Sequence, residues 1–486
     1  MKKNILIWLA AIAGVELLSG FVIFHPSINT AVAIAIACAI LIVSIVRPTA
    51  ALSVLAVELM IGSMGSLFKA FGDAENNGGI PIRILIFAAF LLGWFIWALR
   101  NKTYRVWRSY LTGRAFYPAL AVLLVYAFVI GWINNNHGFV LGDANAWGLW
   151  LLLLPVIDLA KHKKEEFVRN VAPAVLASLC WLPVKTIILF YFFSHGYPDA
   201  WHEAVYLWVR RTGVGEVTRI VGSTYRVFFQ SHIYAVIAFV GGLILLATGD
   251  KEQAGCLFTN RAHQRKWLWI ILWLSLAEIL ISLSRSFWIG VGASILISVI
   301  YLLRRKSGHL WKWIFRSFLV TAGATAVVTI ALLFPIPKSS GSLSGLFASR
   351  TDLSDSASAS RWQLMPVLWG KIMGHPIRGS GFGASLTYQS NDPRVVAATG
   401  GTDTTYAFEW GWMDFWYKFG ILGPLLMLGL LWSLCRRVWK AAWNESTRFA
   451  VVLGVIALAV VHFFTPYLNH PLGFAVLIAI EGVLVL

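Results

Sequence analysis

The chain has 486 residues, of which 58% are hydrophobic and only 13% charged, with a mean hydropathy of +0.72; no water-soluble domain can bury that much apolar surface. A formal net charge of +18 hints at nucleic acid, but Lys and Arg fall in short segments between apolar runs. That is the charge bias of a polytopic membrane protein, so nucleic-acid binding is set aside. The four cysteines avoid the long polar loops, so no disulfide framework is indicated.

Runs of about 17–25 apolar residues are long enough to cross a hydrocarbon core of about 30 Å. The sequence predicts about 14 such spans, near 5–24, 28–46, 49–68, 82–99, 116–133, 146–160, 170–193, 231–248, 267–283, 287–303, 313–334, 412–434, 449–465 and 471–486. The first follows Lys2 and Lys3 and is longer than a signal-peptide core. Starting inside, each short inner loop is basic, as in Arg100–Arg114, Lys161–Arg169 and Arg436–Arg448, whereas short outer loops such as HPSIN carry almost none. The alternation predicts both termini on the cytoplasmic side and one integral membrane domain over 1–486.

Two outer loops are long, 194–230 and 335–411. The first holds Arg210, Arg211, Arg219 and Arg226; the second holds Arg350, Arg361, Arg378 and Arg394. Arg285 sits in SLSRSFW, at the tight outer turn between two spans. Arg83, at the outer end of its span, is a lesser candidate for lipid phosphate. Glu16, Glu58, Lys185, Glu278 and Glu481 fall within or near spans, where ionisable groups are costly; Glu58 and Lys185 are candidates for pairing across helices.

The large loop contains SASASRWQLMPVLWGKIMGHPIRGSGFG. Ser360 and Gln363 read as a capping box. Trp362, Met365, Trp369 and Ile372 recur at helical spacing and predict a short amphipathic helix along the membrane interface. Gly374 and Pro376 end it, and Pro366 bends it. Arg361 then falls in the first turn, where the helix dipole disfavours a cation by about 0.3–1 kcal/mol; an anion held nearby removes that conflict. The glycines at 379, 381 and 383 offer backbone N–H groups to an oxyanion.

RWQLMPVLWGKIMGHPIRGSGFG resembles the motif shared by O-antigen ligases and Wzy-type O-antigen polymerases. SLSRSFWIGVGASILISVIYLLRR resembles the Ser-Arg helix start before that family's large outer loop. TRIVGSTYRVFFQSH resembles its earlier Arg-x-x-Gly segment, and WMDFWYKFGILGPL its Gly-x-x-Gly helix opening. The resemblance covers about 215–435. It implies an all-α, GT-C-like transferase that moves a glycan from an undecaprenyl-pyrophosphate carrier to a glycan or lipid acceptor, among membrane lipids, on the outer face of the cytoplasmic membrane. It implies that Arg219, Arg285 and Arg361 hold the pyrophosphate, with no metal and no cofactor. Arg378 is the nearest addition; Arg210, Arg211 and Arg226 are lesser candidates. Family ligases carry a histidine before the Gly-x-x-Gly helix, but TDTTYAFEWGWMDFWYKFGILG has none. Its acids are Asp403, Glu409 and Asp414, and Glu409 or Asp414 is the candidate general base. The competing reading is a lipid-linked oligosaccharide flippase.

Overall fold

The computed structural model describes residues 2–72, 78–221, 224–248, 261–304, 309–335 and 356–486. Arg350 and the side chains of Ser360 and Arg394 lie outside the described residues.

Apolar, largely uncharged runs fold as helices because a helix satisfies its own backbone polar groups where no water can. In chain order these are α1 (Lys2–Val22), α2 (Pro26–Val46), α3 (Pro48–Ile61), α4 (Ile82–Asn101), α5 (Arg105–Thr112), α6 (Phe116–Asn134), α7 (His137–Trp147), α8 (Leu153–His162), α9 (Lys164–Ser194) and α10 (Asp199–Arg211). There follow α11 (Ile233–Thr248), α12 (Arg261–Ser282), α13 (Arg285–Arg304), α14 (His309–Leu333), α15 (Ser356–Gly374), α16 (Pro393–Thr399), α17 (Gly411–Phe419), α18 (Leu422–Lys440), α19 (Glu445–His462) and α20 (Pro471–Val485). Proline opens α2, α3 and α20, where its fixed φ suits the first turn and its missing N–H costs nothing. Asn136 and Asn444 cap α7 and α19 by accepting from backbone N–H groups.

Among the described residues, ten spans are long and apolar enough to cross a bilayer, α7 and α8 together forming one of them. Their outward faces carry bare aliphatic side chains, such as Leu17 at 77% and Ile133 at 72% exposure, as lipid contact requires. The chain is a multi-pass membrane protein. Four expected spans are not among these ten: α12, whose apolar stretch begins only at Trp267 after Arg265 and Lys266, together with α3, α20 and 412–434. The apolar helices α3 and α20 have 14 and 15 residues, about 21 and 23 Å at 1.5 Å per residue, short of a full hydrocarbon core. The expected span 412–434 is two helices, broken at Gly420, whose φ is +66°.

Glu58 and Lys185 do pair across helices, each with a different residue, whereas Glu278 is buried 3.4 Å from His232. Glu58 takes Arg83 at 2.8 Å and Lys185 takes Glu16 at 2.6 Å, so neither partner is the other. Glu481 accepts from Tyr110 at 2.5 Å and from Arg437 at 2.6 Å, with Tyr117 as a further donor. These last contacts tie α5, α6, α18 and α20 together at the end of the bundle that carries the basic loops.

Among the described residues, the other end carries three two-stranded antiparallel pieces: β1 (Lys69–Ala70) with β2 (Ile80–Pro81), β3 (Glu216–Val221) with β4 (Thr224–Phe228), and β5 (Leu386–Gln389) with β6 (Thr402–Thr405). The β3–β4 hairpin sets Arg219 opposite Tyr225 and Thr218 opposite Arg226.

Candidate functional site

The large loop has a core of its own. In α15 the buried stripe is Leu364, Leu368 and Ile372, spaced four residues apart on one face. It packs on Phe408, Trp410 and Tyr417. Trp362 and Trp369, expected on that face, stand at its edges and meet Trp410 and Trp416 edge-on, with ring centroids 5.3 and 5.6 Å apart. The helix therefore lies against its own loop. Ser360 is not the cap: residues 356–359 are already helical, because alternating Ala and Ser extend the helix upstream. Arg361 thus stands in the second turn, where the dipole penalty has faded. Gln363 accepts from the Asn391 N–H at 3.1 Å instead of closing a capping box.

Arg361 forms an ion pair with Glu409. Both side chains are half exposed, at 39% and 50%. The anion that the sequence called for is a carboxylate of the same loop. The indole N–H of Trp410 donates to the Arg361 carbonyl at 3.0 Å, which fixes the backbone on which the guanidinium is mounted.

The glycine turn does something other than cradle an oxyanion. Gly379, Gly381 and Gly383 all have positive φ, but their N–H groups are consumed within the protein. The N–H of Gly379 donates to His375, that of Gly381 to the Lys418 carbonyl, and that of Gly383 to the Asp143 carboxylate, at 3.1, 2.9 and 3.0 Å. A Cβ on Gly381 would run into the backbone of Gly131. The turn is a wedge that locks the loop onto α6, α7 and α17. Asn135 adds two hydrogen bonds to the Ser380 and Phe382 carbonyls, at 2.9 and 2.8 Å. Arg378 projects from the wedge into solvent, 3.2 Å from His375 Nδ1.

Beneath the wedge lies a buried charge cluster. Lys418 Nζ is 2.8 Å from both Asp143 and Asp414, and Asn469 donates to Asp414 at 2.5 Å. Asp414 is 1% exposed, so no acceptor hydroxyl reaches it in this conformation. Burial pushes its carboxyl up to about 6, with Asp143 adding to the rise and Lys418 and Asn469 opposing it. Burial works against the Lys418 ammonium, but Asp143 and Asp414 outweigh that and hold it above the ordinary lysine range. The sign of the linkage follows. Between the ordinary value of 3.8 and about 6, the folded protein binds the Asp414 proton and the unfolded chain has lost it, so stability falls as pH rises through that window. Denaturation midpoints between pH 4 and 7 are expected to show this slope in the wild type and to lose most of it in Asp414→Asn.

The remaining arginines sit on the hairpin and at the α12–α13 turn. Arg226 Nε donates to the Ser282 carbonyl at 2.8 Å, which sets the hairpin against the turn that ends at Arg285. Arg285 opens α13 and is partly exposed; Arg219 is exposed. Ser286 accepts from Thr465 at 2.9 Å, Tyr467 donates to the Gln230 carbonyl at 2.8 Å, and Trp410 packs on Phe464 at 5.6 Å. The segment 463–470 thus touches the hairpin base, the Arg285 turn, the Arg361 loop and, through Asn469, the Lys418 cluster. Arg210 pairs with Glu216 at 3.5 Å, and Arg211 lies over the Phe24 ring at 5.9 Å. Arg83, 7% exposed, turns inward to Glu58 and the Ser63 carbonyl, away from any lipid headgroup. Asp403 is on β6, opposite Tyr388.

Residues 270–428 match the family model of the O-antigen ligases. That stretch is an O-antigen ligase domain, of the family that includes the related polymerases. It starts within α12, takes in Arg285, Arg361, Arg378, Glu409 and Lys418, and ends within α18. The β3–β4 hairpin precedes it. No curated protein and no solved structure matches the chain.

Asp143, Lys418 and Asn469 escaped the sequence reading. Lys418 stands four residues after Asp414, a spacing that pairs charges on a helix. Asp143 and Asn469 are remote in sequence and carry no such mark.

Proposed function

We propose that the protein transfers or polymerises a glycan from an undecaprenyl-pyrophosphate-type carrier at the outer face of the cytoplasmic membrane, as a GT-C-like, metal-independent transferase. The observation that carries this is the O-antigen ligase domain over the stretch holding Arg285, Arg361 and Glu409. A second observation supports a lipid-linked donor. An apolar cavity of about 340 Å³ between α12, α13 and α14 is lined by Leu280, Leu283, Val291, Ile295 and Val328. It begins two residues from Arg285, so a diphosphate at the arginines can lower its hydrocarbon chain into it.

Arg219, Arg285, Arg361 and Arg378 hold the diphosphate in this reading. The guanidinium fork meets phosphate oxygens in pairs and stays charged, and it stabilises charge that builds on the leaving diphosphate. Glu409 is the base. The incoming diphosphate competes for Arg361; the released carboxylate then takes the proton of the acceptor hydroxyl as that oxygen attacks the anomeric carbon and the bond to diphosphate breaks. Asp414, buried under Lys418, keeps the α17 platform in place.

Purified protein with a synthetic polyprenyl-diphosphate glycan tests the reading: a new glycosidic product supports it, and transbilayer movement without product makes the protein a flippase. Glu409→Gln is expected to lower the rate by about 10²–10⁴-fold with donor affinity unchanged or raised. Full activity in Glu409→Gln removes it as the base. Loss of long chains on the carrier in a deletion strain marks a polymerase, and finished chains stranded on the carrier mark a ligase.

A further inference from the structure

A second cavity, of about 500 Å³, lies in the middle of the bundle, away from the arginines. Its walls come from α3, α8, α9, α11, α12, α19 and α20, and nearly every lining residue is apolar. On α9 it runs from Phe167 to Leu179, about 18 Å at 1.5 Å per residue and over half of a hydrocarbon core of about 30 Å. Small residues, among them Ala238, Gly241, Ala450 and Ala479, leave the room.

Water does not suit this space, because a buried water needs two to four polar partners. Tyr234 is among the few polar groups in the wall, and its hydroxyl is given to the Leu472 carbonyl at 3.3 Å. The cavity is long and apolar, which fits a hydrocarbon chain and excludes a headgroup or a sugar. On α9 the lining begins at the fourth residue of the helix and on α19 at the third, Thr447, both at the end with the basic loops, while on α3 and α11 it reaches Met60 and Tyr234, close under the Lys185 layer. Towards the arginine end it stops on α9 at Leu179. The next turns carry Trp181 and Lys185, both bonded to Glu16, at 2.9 and 2.6 Å. That polar layer separates it from the arginine site, so a donor whose diphosphate sits at the arginines does not fill it. Lys163, Lys164 and Arg169, all exposed, flank the α9 end beside Glu165 and Glu166, with Lys163 3.7 Å from Glu166, and the surplus of cations favours an anionic headgroup.

We infer that this cavity holds one acyl chain of an anionic phospholipid drawn from the leaflet next to the basic loops, as a bound structural lipid distinct from the substrate. The inference does not depend on the transfer chemistry.

The test is native mass spectrometry of the full chain released from nanodiscs of phosphatidylglycerol and phosphatidylethanolamine. One phosphatidylglycerol is expected to persist after the annular lipids are stripped. Ala238→Phe and Ala479→Leu, which fill the space, are expected to lower that adduct by at least tenfold. A diazirine-tailed phosphatidylglycerol in vesicles of the same lipids is expected to label wild-type peptides around Ala238, Ala450 and Ala479, which keeps the idea testable if a filled variant does not fold. An adduct unchanged in the filled variants, a polyprenyl lipid in its place, or labelling confined to the outward faces of the bundle overturns the inference.

Discussion

Arg285→Ala is expected to lower glycan transfer by about 10²–10³-fold, the usual loss when a preorganised donor to developing negative charge is removed. Two features make this position demanding. Arg285 is the first residue of a 20-residue helix, so the guanidinium is mounted where the helix dipole already favours an anion. The turn before it is held by Arg226 on the Ser282 carbonyl and, just inside α13, by Thr465 on Ser286. A charge placed on such a frame need not reorganise as the diphosphate leaves. Arg285→Lys keeps the charge but loses the fork, and about a tenfold loss is expected for this gentler change, from one bidentate contact reduced to a point charge. Initial rates with a synthetic donor in nanodiscs measure both, alongside an unchanged thermal midpoint. Wild-type rates in Arg285→Ala would take this arginine out of the mechanism.

Lys418→Met is expected to cost about 3–5 kcal/mol of stability, the range for breaking a buried ion pair from one side. The cluster holds two carboxylates and one ammonium in the interior, with Lys418 at 3% and Asp414 at 1% side-chain exposure. Removing the ammonium leaves Asp143 facing Asp414 with no counter-charge. Adding Asp414→Asn should recover part of the loss, and the coupling between the two changes measures their interaction. A denaturation midpoint within error of wild type in Lys418→Met would show that the cluster carries no stability.

What could be read from the sequence was what physics enforces locally. Spans such as 28–46 and 116–133 were legible because the bilayer sets their length and composition together. The O-antigen ligase stretch was legible as a motif, in RWQLMPVLWGKIMGHPIRGSGFG. Ser360 looked like a cap because a Ser with Gln three residues later satisfies the local rule, but SASA upstream continues the helix. FGILG looked like unbroken helix, yet Gly420 breaks it where the glycine wedge comes up against α17. The wedge resembles an anion nest in sequence, yet its N–H groups are given to the carbonyls of His375 and Lys418 and to Asp143. The last two depend on partners far along the chain, which a local rule cannot see.

The ion pair between Arg361 and Glu409 also bears on what the loop admits. At rest the guanidinium is already satisfied, so a singly charged ion such as chloride or acetate has nothing to offer that the carboxylate does not. In the proposed reading a ligand gains entry by bringing several negative charges at once, so the loop would discriminate by valence and favour a polyanion over the salt around it.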